Sequence, residues 1–437
     1  MSDTEKEVAK TIKLRNAVAL YTSSVLGSGI LVLPGITARI AGPASIIAWV
    51  ILSLASVPFA LTFSNLSSTR PETGGVYSFT RTAFGISSST AISWLFLLWE
   101  MTGAPAVSLV AASYVGYAFG LGTFEVYIIG FAVICSAFFV NFAGIVISNK
   151  VQLSIIISIV GLLIVTIISS GFIVRLSNFS PFLPYGIAPI GTSAALIFWS
   201  FIGYENVSSI AGEFQNPKRD FNLGALISVV AIGILYVLTS FVTIGTGSYR
   251  AGASIAPFAA ILSGIFGGYA GIATAILAVF IIFGLVNAYI SGMSRVFLKS
   301  AMDRGLPSFL VHRNSRTQAP DRVMAMMFLL TIPVFFIYYF ESMNLETAFL
   351  ISGGAAIMVY IISFISAIKI FREERRRNLL WMPAVSLAIS IIILYFVGVW
   401  IFASFAAIVL AFLFTGLMTR KTADFDNGLD ASDFQRP

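Results

Sequence analysis

The chain alternates between long apolar runs and short polar connections along almost its whole length. A helix needs about 20 mostly apolar residues to cross the hydrocarbon core of a bilayer. Twelve runs meet this requirement and predict an all-α integral membrane protein with twelve transmembrane helices. These runs cover about 14–38, 44–66, 90–118, 124–146, 151–174, 189–211, 222–247, 268–299, 323–340, 345–371, 380–398 and 401–419.

Two of these runs, the first and the sixth, are interrupted by glycine at a matching place. The interruptions fall within 23–31 and 198–205, and each lies roughly 15 residues after its run begins. Unwound backbone in a membrane is tolerated only where it lines a cavity or is packed within protein. Matching breaks in two halves of a chain point to a binding site at the interface of an inverted repeat. The alternative is that the glycines only allow close packing of helices.

The composition excludes a water-soluble protein. Hydrophobic residues make up 58% of the chain and charged residues 10%, whereas soluble proteins carry roughly 25% charged residues. Of the 26 basic residues, 23 fall in the connections that alternate to one side of the twelve runs, which predicts cytoplasmic termini. The net charge of +7 is therefore interpreted as membrane topology, and no nucleic-acid partner is expected. The predicted location is the plasma (inner) membrane, with the lipid bilayer as partner.

Residues suited to metal or cofactor chemistry are scarce. Cys135 is the only cysteine and His312 the only histidine, so neither an intrachain disulfide nor a zinc site of three or four ligands is expected. No nucleotide fingerprint follows a strand. The sequence predicts no cofactor, no metal site and no enzyme activity.

The freed backbone groups at the two breaks predict a site for a zwitterion. Amide groups at Gly27, Ser28 and Gly29 begin a half-helix, and a helix N-terminus attracts an anion such as a carboxylate. Carbonyl groups at Val25, Trp199 and Ile202 are free to accept hydrogen bonds from an ammonium group. Trp199 is also a candidate lid over a bound ligand.

Only two acidic residues lie well inside the predicted spans, Glu100 in the third and Glu205 in the sixth. A carboxylate at this depth costs at least about 2.5 kcal/mol on insertion scales, so both are functional candidates. Glu205 is predicted to carry or sense a proton, and Glu100 to have a proton or substrate role. Two alternatives remain: Glu205 accepts hydrogen bonds from freed amides of the first span, and Glu100 faces a wet cavity. Other polar residues within spans, Asn141, Asn287 and Tyr289, are expected to make helix-packing hydrogen bonds.

Four stretches together resemble the amino acid–polyamine–organocation (APC) transporter superfamily. They are GSGILVLPG at 27–35, PETGGVYSFTRTAFG at 71–85, FWSFIGYENVSSIAGEFQNPKRDF at 198–221 and AMDRGLP at 301–307. Within the superfamily the chain is most similar to bacterial exporters of methionine and branched-chain amino acids, and more distantly to arginine/agmatine antiporters. The resemblance implies the leucine-transporter fold, with a five-plus-five inverted repeat and alternating access.

The predicted organisation combines this resemblance with the spacing of the runs. The repeats cover about 14–174 and 189–371. The chain then divides into a cytoplasmic N-terminus at 1–13, a transporter core at 14–371, helices 11 and 12 at 372–420, and a disordered cytoplasmic tail at 421–437.

The resemblance also implies roles for individual residues. Trp199 matches a gating tryptophan of the arginine/agmatine antiporters, and Glu205 matches a glutamate implicated in gating or proton response. The substrate-binding set expected from the breaks and the resemblance is Val25, Gly27, Ser28, Gly29, Ile30, Trp199, Phe201, Ile202 and Gly203.

The predicted function is secondary-active transport of neutral hydrophobic amino acids, with possible coupling to a proton or sodium gradient. The fifth span lacks the lysine that replaces sodium in some proton-coupled relatives, and Glu100 has no counterpart in the exporters. The alternatives are a cationic amino acid or amine exchanger with the same fold and, in another class, a channel.

Overall fold

A computed structural model describes residues 13–69, 75–144, 149–207, 217–250 and 252–428. Within these residues the secondary structure is helical, without strands. The α-helices are α1 (Leu14–Val25), α2 (Gly29–Ala41), α3 (Ser45–Thr69), α4 (Gly75–Phe84), α5 (Ile86–Phe119), α6 (Thr123–Phe142), α7 (Asn149–Ser170), α8 (Ala188–Phe198), α9 (Tyr204–Val207), α10 (Pro217–Thr246), α11 (Pro257–Phe266), α12 (Gly268–Met302), α13 (Asp321–Phe340), α14 (Leu345–Glu373), α15 (Trp381–Tyr395) and α16 (Ile401–Gly428).

Ten helical stretches among the described residues are long and apolar enough to cross a membrane. The first of them, Gly29–Ser68, holds 40 residues and contains both α2 and most of α3. The sixth predicted span forms no such stretch because it is divided into α8, a 3₁₀ turn and α9. The all-helical membrane architecture is thus confirmed, while the number of twelve spans and the inverted repeat stay predictions.

Both predicted helix breaks are present. α1 has 12 residues and ends at Val25, and α2 begins at Gly29. α8 has 11 residues and ends at Phe198, where a 3₁₀ turn over Trp199–Phe201 leads to an extended Ile202. The two interrupted runs therefore match in the length of the helix that precedes the break.

The breaks touch each other at Gly203. Its φ angle is +132°, a conformation that only glycine adopts readily. A Cβ atom at this position would also collide with the backbone carbonyl of Ser24 near the end of α1. Glycine is therefore required here for two reasons, the backbone conformation and the close approach of two segments of the chain.

The long helix α5 lies at the centre of the bundle. It packs against α6, α12, α14 and α16 and is buried along most of its length. Asn141 of α6 donates a hydrogen bond of 2.8 Å to the side-chain oxygen of Asn287 of α12, as expected for helix packing. Because α5 is central, side chains on several of its faces lie inside the protein.

The last helix, α16, continues to Gly428. Residues 421–428 therefore form helix within the segment whose sequence predicts a disordered tail. The remainder of that tail, like the N-terminal residues 1–12, lies outside the described residues.

Candidate functional site

The start of α2 lies directly against the break that follows α8. A Cβ atom built on Gly29 would be 3.0 Å from Cδ1 of Trp199 and 3.2 Å from Cα of Ser200. The first amide groups of a helix have no acceptor within the helix, and the helix dipole adds partial positive charge there. The glycine thus brings the donor end of α2 into contact with the second break.

Trp199 joins the two breaks. Its Nε1 donates a hydrogen bond of 3.2 Å to Oγ of Ser28, the residue that precedes α2. Its ring makes edge-on contacts with Trp99 of α5 and Phe349 of α14, at centroid distances of 6.0 and 5.3 Å. The side chain is only 8% exposed. These contacts place the indole where α2, α5 and α14 meet.

A narrow cavity adjoins this indole. It has room for about one water molecule. Most of its wall is apolar or aromatic, and Glu100 and Tyr289 supply the ionisable groups. Its lining consists of Trp99, Glu100, Gly103, Ala104 and Val107 of α5, Trp199, and Val286 and Tyr289 of α12.

Glu100 is the acidic group of the cavity wall. It is 4% exposed, and its Oε1 has no hydrogen-bond partner within the described part of the chain. Burying a carboxylate without a partner is costly. This arrangement agrees with the alternative in which Glu100 faces a cavity, and it leaves the carboxyl available to a group that enters there.

Glu205, by contrast, is held by the second break and by α14. Its Oε2 accepts a hydrogen bond of 2.9 Å from the amide of Gly203 and another from the hydroxyl of Tyr360. The Tyr360 oxygen also accepts a bond of 3.1 Å from the same amide. Glu205 does accept from a freed amide, but the expectation that this amide belongs to the first span is wrong. The carboxylate sits at the start of α9 and therefore reaches back to the nearest amide of its own break.

The hydroxyl of Tyr236, on α10, lies between carbonyl groups of both breaks. It is 3.2 Å from the oxygen of Val25 and 3.1 Å from the oxygen of Ser200. A tyrosine hydroxyl has one proton to donate. It can therefore satisfy only one of these two carbonyls at a time, which leaves acceptor capacity at the junction of the breaks.

Comparison with known proteins identifies the family of the chain. The amino acid permease family model matches residues 12–423, nearly the whole chain. This chain belongs to the amino acid permease family.

The permease has similar relatives in bacteria and plants. It is 30% identical to the uncharacterised amino acid permease YecA of Bacillus subtilis over 90% of its own length and 92% of the relative. It is 27% identical to the L-methionine/branched-chain amino acid exporter YjeH of Escherichia coli, covering 95% and 97% of the two chains. It is also 26% identical to cationic amino acid transporter 3 of Arabidopsis thaliana, over 72% of the permease and 55% of the relative.

Two of the residues predicted for the site, Trp199 and Glu100, line the cavity of the permease. Most of the others lie at the breaks beside it, where Ser28, Gly29 and Trp199 are brought together. Phe201 instead packs between Trp49 and Tyr236. The remaining predicted residues at the breaks are Val25, Gly27, Ile30, Ile202, Gly203 and Glu205.

Sequence reasoning missed most of the cavity wall. Trp99, Gly103 and Ala104 stand in an apolar run where a cavity-facing residue looks the same as a lipid-facing one. Tyr289, expected to make a packing hydrogen bond, lines the cavity instead. Two further tyrosines, at 236 and 360, could have been found as isolated hydroxyl groups within apolar helices.

Proposed function

We propose that the permease is a secondary-active transporter that moves neutral hydrophobic amino acids by alternating access. The contact between the start of α2 and the Trp199 break carries this proposal, because it puts helix-end donors next to freed carbonyls. The apolar and aromatic cavity beside that contact suits an apolar side chain. The exporter relative, named for methionine and branched-chain amino acids, supports the same substrate class.

In the proposed binding mode, the substrate carboxylate accepts hydrogen bonds from the amides of Gly27, Ser28 and Gly29. The ammonium group donates to carbonyls near the other ends of the breaks, at Val25, Trp199 and Ile202. A group with donors on one side and acceptors on the other fits the opposite charges of an amino acid.

Trp199 acts as the lid in this proposal. The cavity has room for only about one water molecule, so the indole or the helices around it must move before an amino acid can enter. Transport requires states whose affinities for the substrate differ. Movement of Trp199 away from Ser28 would couple the opening of the cavity to the rearrangement of the breaks.

A second candidate function is the exchange of cationic amino acids or amines. The unpartnered Oε1 of Glu100 favours it, because a carboxylate beside the rings of Trp99 and Trp199 suits a cationic group. Relatives named as cationic amino acid transporters support it as well. If the substrate is neutral, Glu100 is instead the candidate proton carrier and Glu205 the gating residue, in transport coupled to a proton or sodium gradient.

Counterflow in proteoliposomes tests the proposal. Vesicles that contain the purified protein are loaded with unlabelled leucine, methionine or arginine and then offered the labelled compound, with and without sodium and pH gradients. We expect saturable exchange of leucine and methionine. Exchange of arginine alone would favour the second candidate, flux that does not saturate would indicate a channel, and no exchange of any amino acid would refute the function.

The substitution Gly29→Val tests the binding site itself. The added side chain would run into Ser200 and Trp199, so we expect binding of leucine to be lost, which an equilibrium binding assay measures. Gly292→Val on α12 is the matched control, because a Cβ atom there has no neighbour within 4 Å. Normal affinity in the Gly29→Val variant would show that the substrate binds elsewhere.

A further inference from the structure

The indole of Trp199 lies between two glycines that approach its opposite edges. At the five-membered ring, a Cβ atom on Gly29 would be 3.0 Å from Cδ1. At the six-membered ring, a Cβ atom on Gly103 would be 2.7 Å from Cη2 and 3.5 Å from Cζ3. Contacts under 3.0 Å force something to move, and here the partner is a rigid ring. The lid therefore fits its place because both positions lack a side chain.

Gly103 differs from Gly29 in its surroundings. Gly29 belongs to the break, whereas Gly103 is in the middle of α5 and lines the cavity together with Ala104 and Val107. A Cβ atom on Gly103 would also be 3.3 Å from Cδ1 of Trp99. Space at Gly103 is thus shared between the lid and the interior of the cavity.

We propose that Gly103 is a specificity-determining position. Its missing side chain lets the Trp199 indole lie against α5, and the position of the indole sets the volume available to the substrate side chain. This inference rests on the proposed function. With a methyl group at 103, the indole cannot lie against α5 while it donates to Ser28. Displaced toward the cavity, it takes space from the side chain of the substrate. Large apolar side chains then lose more affinity than small ones.

The apolar wall next to Gly103 and Trp199 indicates which substrate side chains fit the cavity. Ala104, Val107 and Val286 present only hydrocarbon to the cavity. Such a surface gains free energy from burying an aliphatic chain, roughly in proportion to the area removed from water. The subsite is therefore suited to aliphatic side chains whose size is limited by the position of Trp199.

The variant Gly103→Ala tests this role through the ranking of substrates. We expect the affinity for leucine to fall about tenfold or more relative to the affinity for alanine, as measured by competition against a labelled substrate. Gly292→Ala, at a position with open space, should leave the ratio within about twofold. A role in helix packing alone would lower thermal stability without changing the ratio, and an unchanged ratio overturns the proposal.

The double variant Gly103→Ala with Trp199→Phe tests whether the effect passes through the indole. A phenyl ring is shorter than an indole, so the methyl group at 103 should cost much less in this background, both in the leucine-to-alanine ratio and in the melting temperature. If the two substitutions act independently, the inference is wrong. If Gly103→Ala alone does not fold, recovery of folding in the double variant supports the contact between Gly103 and the indole. Failure of both variants to fold overturns it.

The two proposals can fail separately. If the wild-type protein binds no amino acid, the proposed function fails, while the melting temperatures of the single and double variants still report whether Trp199 rests on Gly103. If the wild type transports amino acids and Gly103→Ala behaves like Gly292→Ala, only the inference about Gly103 fails.

Discussion

Glu100 and Glu205 are equally buried, at 4% exposure each, but their surroundings differ. Glu205 is bound through Oε2 to the amide of Gly203 and to Tyr360, so it is part of the structure of the second break. Glu100 lines the cavity. Oε1 of both carboxyls is without a partner among the described residues, so the two acids differ in the bonds to Oε2 of Glu205 and in the cavity beside Glu100. Depth in the membrane therefore does not by itself reveal the role of an acid. The partners of its oxygens separate a carboxyl that holds the backbone from one that is open to a ligand.

The largest effect is expected from Glu205→Ala. Loss of the carboxyl leaves the hydroxyl of Tyr360 without its acceptor and the amide of Gly203 with only the Tyr360 oxygen, and a buried unpaired group costs about 1–3 kcal/mol. We expect a clear drop in the melting temperature of the purified protein, with loss of transport. Glu205→Gln keeps an acceptor oxygen and is the control. If the alanine variant is as stable as the glutamine variant, the structural role assigned to Glu205 is wrong.

Glu100→Gln should have a smaller effect on stability but a specific effect on transport. Removing a buried charge that lacks a partner costs the fold little, so the melting temperature should not fall. If the cavity accepts a cationic group, arginine exchange should drop roughly 10- to 100-fold while leucine exchange survives, as expected for a hydrogen bond to a charged group. Competition uptake with both amino acids measures this.

For a neutral substrate, Glu100→Gln tests whether Glu100 carries the proton. Transport that depends on a protonated Glu100 declines as pH rises through the titration of this carboxyl, and Glu100→Gln should flatten the profile. Tyr289 shares the cavity wall with Glu100, so Tyr289→Phe is a control that removes a polar group from the same wall without removing a carboxyl. If Glu205→Gln flattens the pH dependence of transport and Glu100→Gln does not, Glu205 rather than Glu100 is the proton carrier.

The smallest expected effect is that of Tyr360→Phe. It removes one donor to Glu205, while the amide of Gly203 remains bound to the same oxygen. A single hydrogen bond contributes about 1 kcal/mol net, or somewhat more with a charged acceptor. We expect a modest fall in melting temperature, well short of that in Glu205→Ala. An equal fall would mean that Tyr360, rather than the amide, is the main partner of the carboxylate.

The sequence predicts those parts of the fold and site that follow from local chemistry. Glycine clusters at 27–29 and at 203 indicate the breaks because helices tolerate glycine poorly, and depth singles out Glu100 and Glu205. The cavity wall depends on how helices far apart in the chain rotate toward one another. Gly103 and Val286 come from α5 and α12, and nothing in their apolar neighbourhoods indicates which face turns inward. Tyr360 stands out as a hydroxyl group in an apolar helix, but its partner lies 155 residues away and is not indicated by the sequence.

The close approach at Gly203 also bears on how this protein can change over generations. Any side chain at 203 meets both the +132° backbone and the carbonyl of Ser24, so no substitution offers an intermediate along a path to another residue. Gly27 is different, since a Cβ atom there has only the oxygen of Val25 nearby, at 3.7 Å. Substitution is thus blocked at one break and open to alanine at the other, although both positions belong to the proposed binding site.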